Sequence, residues 1–426
     1  MSRRSQILQA AVSQGLLDPD VQLMASFIDE GLLEENVARL IEAFPDTCSV
    51  RHAFAAKANP LSPLLRRLRS MGMAVEVASS GELTAALEAG FEPKMIIFDS
   101  PAKTKQDLQR SLDLGVAINI DNYQELARVV EIRKTTNSTS VIGIRINPQV
   151  GAGSIKAMST ADSHSKFGVP VGSMKDVEKL FETLRRHSWI TGLHVHVGSQ
   201  GCPLSLIARG IKNLYQIAEI YNRRVNHKQI STLDIGGGLP VDFSTDNAFA
   251  DFDDYVSTVK EKVPELFSGK YQIITEFGRS ILAKQGFIAS TVEYTKTVGD
   301  RQITIAQAGV QVAARTVYMP DSWPLRVECF NHDGTAKPAS DLVQQDIAGP
   351  CCFAGDVVAS NRSLPPLRQG DIVALLDTGA YYASSPYMYN SLPLSGMYLA
   401  KITDNGVRFD TLRKSEYNQY AGRLTR

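Results

Sequence analysis

The 426-residue sequence has no net charge to spend on a polyanion: 45 Lys and Arg stand against 45 Asp and Glu, and the two signs are mixed along the chain. No overall field attracts nucleic acid or an anionic membrane, so neither is expected as a partner. Long apolar runs are also missing, which argues against a membrane span or a secretory leader. Five cysteines, Cys48, Cys202, Cys329, Cys351 and Cys352, are an odd number and follow no zinc spacing, and disulfides are not expected in the cytosol. The expectation is a cytoplasmic protein without disulfides or metal. Internal repeats and low-complexity linkers are absent as well.

What is present is a core-forming chain with 43% hydrophobic and 21% charged residues, long enough for two domains. From Leu23 the text reads as a short strand and then an amphipathic helix carrying Leu33, Val37, Leu40 and Ile41, stopped by Pro45. Candidate strands follow at 52–56, 74–78, 95–98, 116–120, 141–146, 192–197, 232–235 and 273–275, with helix-like stretches between most of them. Eight strands with crossover helices over such a length predict an α/β fold, a (β/α)8 barrel over 30–281. An open doubly wound sheet is the structural alternative. Beyond 282 short runs rich in Val, Ile, Thr and Tyr, broken by Gly, Pro or Asp-Asn-Gly, predict a second, mostly antiparallel β domain over 282–426, joined by the N-terminal segment 1–29.

Polar residues at the ends of barrel strands converge on one mouth. Lys57 ends the apolar run of FAAKANP, where a desolvated amine can attack a carbonyl. Glu76, Ser79 and Glu82 follow in VEVASSGE, Arg145 and Asn147 in GIRINP, and His194, His196 and Ser199 in HVHVGSQ. DIGGG brings Gly236, Gly237 and Gly238, whose backbone N–H groups can approach a phosphate, and EFGR brings Glu276 and Arg279. Each has a dull explanation by itself; together they make an anion cradle beside an amine, an imidazole and a carboxylate. The His194 and His196 pair shares a strand face, but no carboxylate stands near it in sequence, so a metal is not expected there.

These motifs, with SKFG at 165–168, GPCCFAGD at 349–356 and GAY at 379–381, run in the order and spacing of a known group. The chain resembles the fold type III pyridoxal phosphate enzymes, and within them the ornithine and diaminopimelate decarboxylases. The resemblance implies an amino acid decarboxylase with pyridoxal 5'-phosphate held as a Schiff base on Lys57. It implies that His196 stacks on the pyridine ring and that Glu276 keeps its nitrogen protonated. Ser199, Gly236, Gly237, Gly238, Arg279 and Tyr381 would bind the phosphate. It also implies a head-to-tail homodimer in which Cys352 and Asp356 enter the partner's site. Cys352, chosen over Cys351 by its spacing to Asp356, would protonate the substrate carbon, and Lys166 would pair with Asp356 across the interface.

Two positions depart from the pattern. Where relatives carry Asp or Glu after the cysteine, for a distal ammonium, this chain has Phe353, which cannot repay the desolvation of a charge. The Arg-Pro pair with a nearby tyrosine that diaminopimelate enzymes use for a distal carboxylate finds its nearest match in WPLRVECF, at Trp323 and Arg326. The expected substrate is therefore a modified or conjugated amino acid, of the kind used in siderophore or antibiotic assembly. The alternatives are diaminopimelate or a basic amino acid met by a rebuilt distal site, with His332, Asp333 or Arg326 as substitutes, an amino acid racemase, and a regulator without chemistry.

Overall fold

In the computed structural model, which describes residues 1–246 and 251–416, the chain divides into two compact units. The first comprises Met1–Asn36, a short stretch beginning at Asp242, and the chain from Ile281 onward; the second comprises Val37–Val241 and the chain up to Ser280.

The second unit holds the barrel. Among its described residues eight parallel strands, β1 (Ser49–Ala55), β2 (Ala74–Val77), β3 (Ile96–Asp99), β4 (Ala117–Ile120), β5 (Ile142–Asn147), β6 (Ile190–His194), β7 (Thr232–Asp234) and β8 (Gln272–Phe277), each pair with the next. The β8–β1 pairing, with Glu276 opposite Ala53, closes the ring. Helices start where side chains cap them: Ser79, Thr104, Asn122 and Ser173 each accept a backbone N–H of the first turn, and Gly115 ends its helix at φ 82°. The strand cores are small or β-branched and fully buried, with Ala53, Ala74, Ile97, Ala117 and Ile274 forming one cluster.

The first unit is a mostly antiparallel sheet. Met24–Asp29 lies antiparallel to Gly286–Val298 and parallel to Gly396–Thr403, so that Phe27 stands opposite both Phe287 and Tyr398. The three rings meet at 5.3 and 5.9 Å, and burying rings of this size contributes about 1.5–3 kcal/mol each. The helix Arg3–Ser13 covers them with Ile7, Leu8 and Ala11, and Arg3 grips Asp29 at 2.6 Å. The terminal strands of the sheet order are Gly406–Arg413 and Val357–Leu364.

Three sequence expectations shift. The division falls after Asn36 and after Ser280 rather than at 30 and 281, inside the helix Glu30–Ala43. The stretch from Asp242 leaves the barrel range because Asp246 is held by Arg326 at 2.7 Å and Arg4 at 3.3 Å. On the helix Glu30–Ala43, Leu33, Val37 and Leu40 are buried as the spacing predicts, but Ile41 is exposed. Among the described residues no helix is long and apolar enough to cross a membrane.

Candidate active site

Lys57 follows β1 in a single turn, Ala56–Ala58, and its Nζ lies 2.8 Å from Oε2 of the fully buried Glu76 on β2. Burial pushes the Glu76 carboxyl up to about 8; Lys57 opposes the shift, while Glu276 and Asp99 add to it. On β8, Glu276 has one oxygen 3.4 Å from His194 Nε2 and the other, Oε1, buried without a hydrogen-bond partner. Against its burial, His194 holds Glu276 well below the usual carboxylate range.

The barrel turns the two histidines into different groups. His194, fully buried at the end of β6, stands 3.6 Å from Asp99 as well, and these neighbours with Asp234 raise it to about 9 despite burial. His196 lies just past β6 and keeps part of its ring open; burial, Arg145 and Lys57 lower it to about 3. Gly237 N–H donates to its Nδ1 at 3.2 Å, so the imidazole is neutral with its proton on Nε2. Thr160 Oγ1 donates to the His196 carbonyl.

The glycine run has a stricter cause than phosphate binding. A Cβ at Gly237 would overlap the Glu276 carbonyl and one at Gly238 the Gly198 carbonyl, and both Gly236 and Gly238 have positive φ, 67° and 104°. Gly236 N–H donates to Asp234 Oδ1 at 3.0 Å and Gly237 N–H to His196, which leaves Gly238 N–H uncommitted. Arg279 is buried at the start of the turn Arg279–Leu282, and Ser199 is half-buried.

SKFG serves the barrel wall. Arg145 lies 4.4 Å over the Phe167 ring and bonds Asp99 at 2.7 Å, Gly168 N–H donates to Asp121 at 3.0 Å with φ 74°, and Lys166 is exposed above Phe167. The fold thus brings to His194 the two carboxylates, Asp99 and Glu276, that its sequence neighbourhood lacks. Their ligand atoms come within 4.8 Å of one another. Arg145 already supplies a cation beside Asp99, which makes the group an ion-pair ladder.

The remaining candidates belong to the β unit. Asp356 is buried, with Val310 N–H at 2.6 Å on one oxygen and Cys351 N–H at 2.8 Å on the other. In this geometry Asp356 anchors the cysteine loop. Cys351 is buried beside it, and burial and Asp356 push its thiol up to about 11; Cys352 is exposed, its N–H held by Asn390 at 2.7 Å. Trp323 is a core residue packed edge-on against Phe243, and Arg326 is paired with Asp377 at 2.8 Å and with Asp246. Phe353 stacks on Tyr318 and meets Tyr389 edge-on, while Tyr387 stacks on Tyr389 and accepts a hydrogen bond from the Tyr318 hydroxyl at 3.0 Å. Tyr381 adopts φ 70°.

Sequence reasoning missed Arg315. On the helix Val310–Tyr318 its guanidinium lies 4.7 Å over Trp323 and 5.4 Å over Tyr381, and it pairs with no carboxylate among the described residues. The signal was available: Arg315 has Tyr318 three residues on and differs from the Arg-Pro pattern only by Thr316.

Residues 30–283 match the family model described as pyridoxal-dependent decarboxylase, pyridoxal binding domain. The chain belongs to this family. As a pyridoxal-dependent decarboxylase it is a carboxy-lyase that takes pyridoxal phosphate, and its residues fit the group: the uncommitted, buried Glu276 Oε1 suits the proton of a pyridinium nitrogen. The diaminopimelate decarboxylase of Methanothermobacter thermautotrophicus is 30% identical over 86% of this chain and 84% of that protein. That of Zymomonas mobilis is 28% identical over 85% and 83%. The crystal structure of the Helicobacter pylori diaminopimelate decarboxylase mutant complexed with L-lysine shares the fold, with TM-score 0.83 at 24% identity over 96% of this chain and 98% of that one.

Proposed function

We propose that this amino acid decarboxylase acts on a substrate with a second carboxylate far from the reacting carbon, diaminopimelate being its representative. The observation that carries this is Arg315, a guanidinium between two aromatic faces with no acidic partner among the described residues, next to the proposed phosphate ligand Tyr381. Such a fork binds a carboxylate in bidentate fashion. Two relatives named diaminopimelate decarboxylase at 28–30% identity support the same reading.

Bound pyridoxal phosphate supplies the electron sink for the pair released with carbon dioxide. In the proposed arrangement Lys57 holds the cofactor, Glu276 accepts its pyridine N–H, and neutral His196 offers a ring face. Gly238 N–H, Ser199, Arg279 and Tyr381 take the phosphate, with Gly236 and Gly237 shaping the turn. Cys352 brings the proton that replaces the carboxylate, from the partner subunit of a homodimer.

Phe353 favours a second reading. Its place in a ring cluster with Tyr318, Tyr387 and Tyr389 supports a bulky, conjugated far end, and the distal ammonium of diaminopimelate finds no acid there.

Carbon dioxide release across diaminopimelate, lysine, ornithine and an N-acylated diamino acid tests the choice. The main reading expects diaminopimelate to be used best and Arg315→Ala to raise its KM with little change for lysine. Preference for the conjugate, or equal use of lysine, overturns it.

A further inference from the structure

The barrel interior contains a ladder of alternating charge that the family motifs do not announce. It starts at Phe167, whose ring carries the Arg145 guanidinium, and continues through Asp99 at 2.7 Å to His194 at 3.6 Å and Glu276 at 3.4 Å. Asp99, Arg145, His194 and Glu276 come from four different strands, β3, β5, β6 and β8, and all are nearly or fully buried. His194 Nε2 stands 3.4 Å from Glu276 Oε2 and Nδ1 3.6 Å from Asp99 Oδ2, both at ion-pair distance, and neither nitrogen has another partner among the described residues. A neutral imidazole in that position would leave two buried carboxylates facing each other across an apolar ring, whereas an imidazolium satisfies both.

We propose that His194 is a positioning residue for the cofactor: a buried imidazolium that keeps Glu276 ionised and occupies its Oε2, so that Oε1 remains uncommitted for the pyridine nitrogen. The inference concerns cofactor electronics alone and does not depend on the substrate proposed above.

The charged and titratable groups around His194 give the same answer from every side. Asp99, Glu276 and Asp234 favour the cation, while burial opposes it; the other cation of the ladder, Arg145, is neutralised by Asp99. His196 is held neutral by Gly237 N–H and burial and adds no competing charge. Asp234 is itself pushed well above the usual carboxylate range by burial and by Glu276; its oxygens accept Gly236 N–H and the Asn119 amide at 3.1 Å. The carboxylates that lie against the two His194 ring nitrogens are Asp99 and Glu276. Lys57 is engaged with Glu76, and buried Lys103, which also acts on Asp99, pairs with Glu125 at 3.0 Å.

The test begins on the chain without cofactor, by 15N NMR of histidine-labelled protein. The expected result is that the His194 ring stays doubly protonated from pH 6 to 8, and that Asp99→Asn or Glu276→Gln lowers the pH at which it loses a proton. In the loaded enzyme, His194→Gln is expected to shift the pH dependence of the bound cofactor's visible spectrum and to lower kcat by about tenfold or more with KM within about threefold. His194→Lys, which retains a cation, should restore part of that spectrum. A neutral His194 at pH 7 in the native chain overturns the inference even where His194→Gln fails to fold, and so does a His194→Gln enzyme with an unaltered spectrum and kcat.

Discussion

Gly237 and His196 form a backbone-to-ring pair: the Gly237 N–H donates to Nδ1 at 3.2 Å. A glycine is required there because a Cβ would overlap the Glu276 carbonyl. Gly237→Ala should therefore cost several-fold in cofactor affinity by displacing β8 and His196 together, measured by fluorescence titration with pyridoxal phosphate; unchanged affinity would refute the coupling.

His196 and His194 give opposite pH signatures. The His196 pKa is depressed in the fold to about 3, so the stability tied to its neutral form is present above about 6.5 and is lost as pH falls toward 3. The His194 pKa is raised to about 9, so its contribution is complete below about 6.5 and is lost as pH rises through 9. Urea denaturation at pH 6, 7.5 and 9 should show the native chain weakening on the alkaline side, and His194→Gln should flatten that limb.

Lys57→Ala should abolish the borohydride-fixed label on the chain, with peptide mapping of the native protein placing it at Lys57. Retention of a fixed label in the variant would move the covalent anchor to another lysine.

The two adjacent cysteines should separate cleanly. Exposed Cys352 should be alkylated first, and Cys352→Ala should lower turnover by about 10²–10⁴-fold while the cofactor stays bound. Buried Cys351, whose thiol is pushed up to about 11, should react slowly, and Cys351→Ala should leave most turnover intact. The reverse pattern would shift the acid by one residue.

Asp356→Ala strips the acceptor from two buried N–H groups, those of Val310 and Cys351. A loss of about 2–4 kcal/mol in stability is expected from unpaired donors of this kind, read by urea denaturation, and Asp356→Asn should recover part of it. An equal effect from Lys166→Ala would instead support a cross-interface pair.

The barrel was legible because its strands are short apolar runs separated by helix-length stretches, and the turn at Asp404-Asn405 was legible because only two residues join Gly396–Thr403 to Gly406–Arg413. The site residues of the barrel were readable as strand-end motifs. What could not be read was long-range: Asp99 lies 95 residues before His194 in sequence, and no local pattern places one beside the other. Nor does a motif comparison show the burial of Trp323 or the pairing of Arg326 with Asp377, which lies far along the chain. Arg315 was hidden by Thr316 where a proline was sought.

The closed ring of the barrel has no strand edge, since β4 pairs β5 and β8 pairs β1. Among the described sheets the longer open edges belong to the β unit, at Gly406–Arg413 and Val357–Leu364, beside the short strands Val327–Phe330 and, on the barrel sheet, Val169–Pro170. Arg408, Asp410 and Arg413 stud the first, and Arg362 stands in the second. Charge at these positions discourages another chain from adding a strand, so the cost of keeping the protein from aggregating falls on the unit that carries Cys352, while the barrel remains free to devote its interior to buried ions.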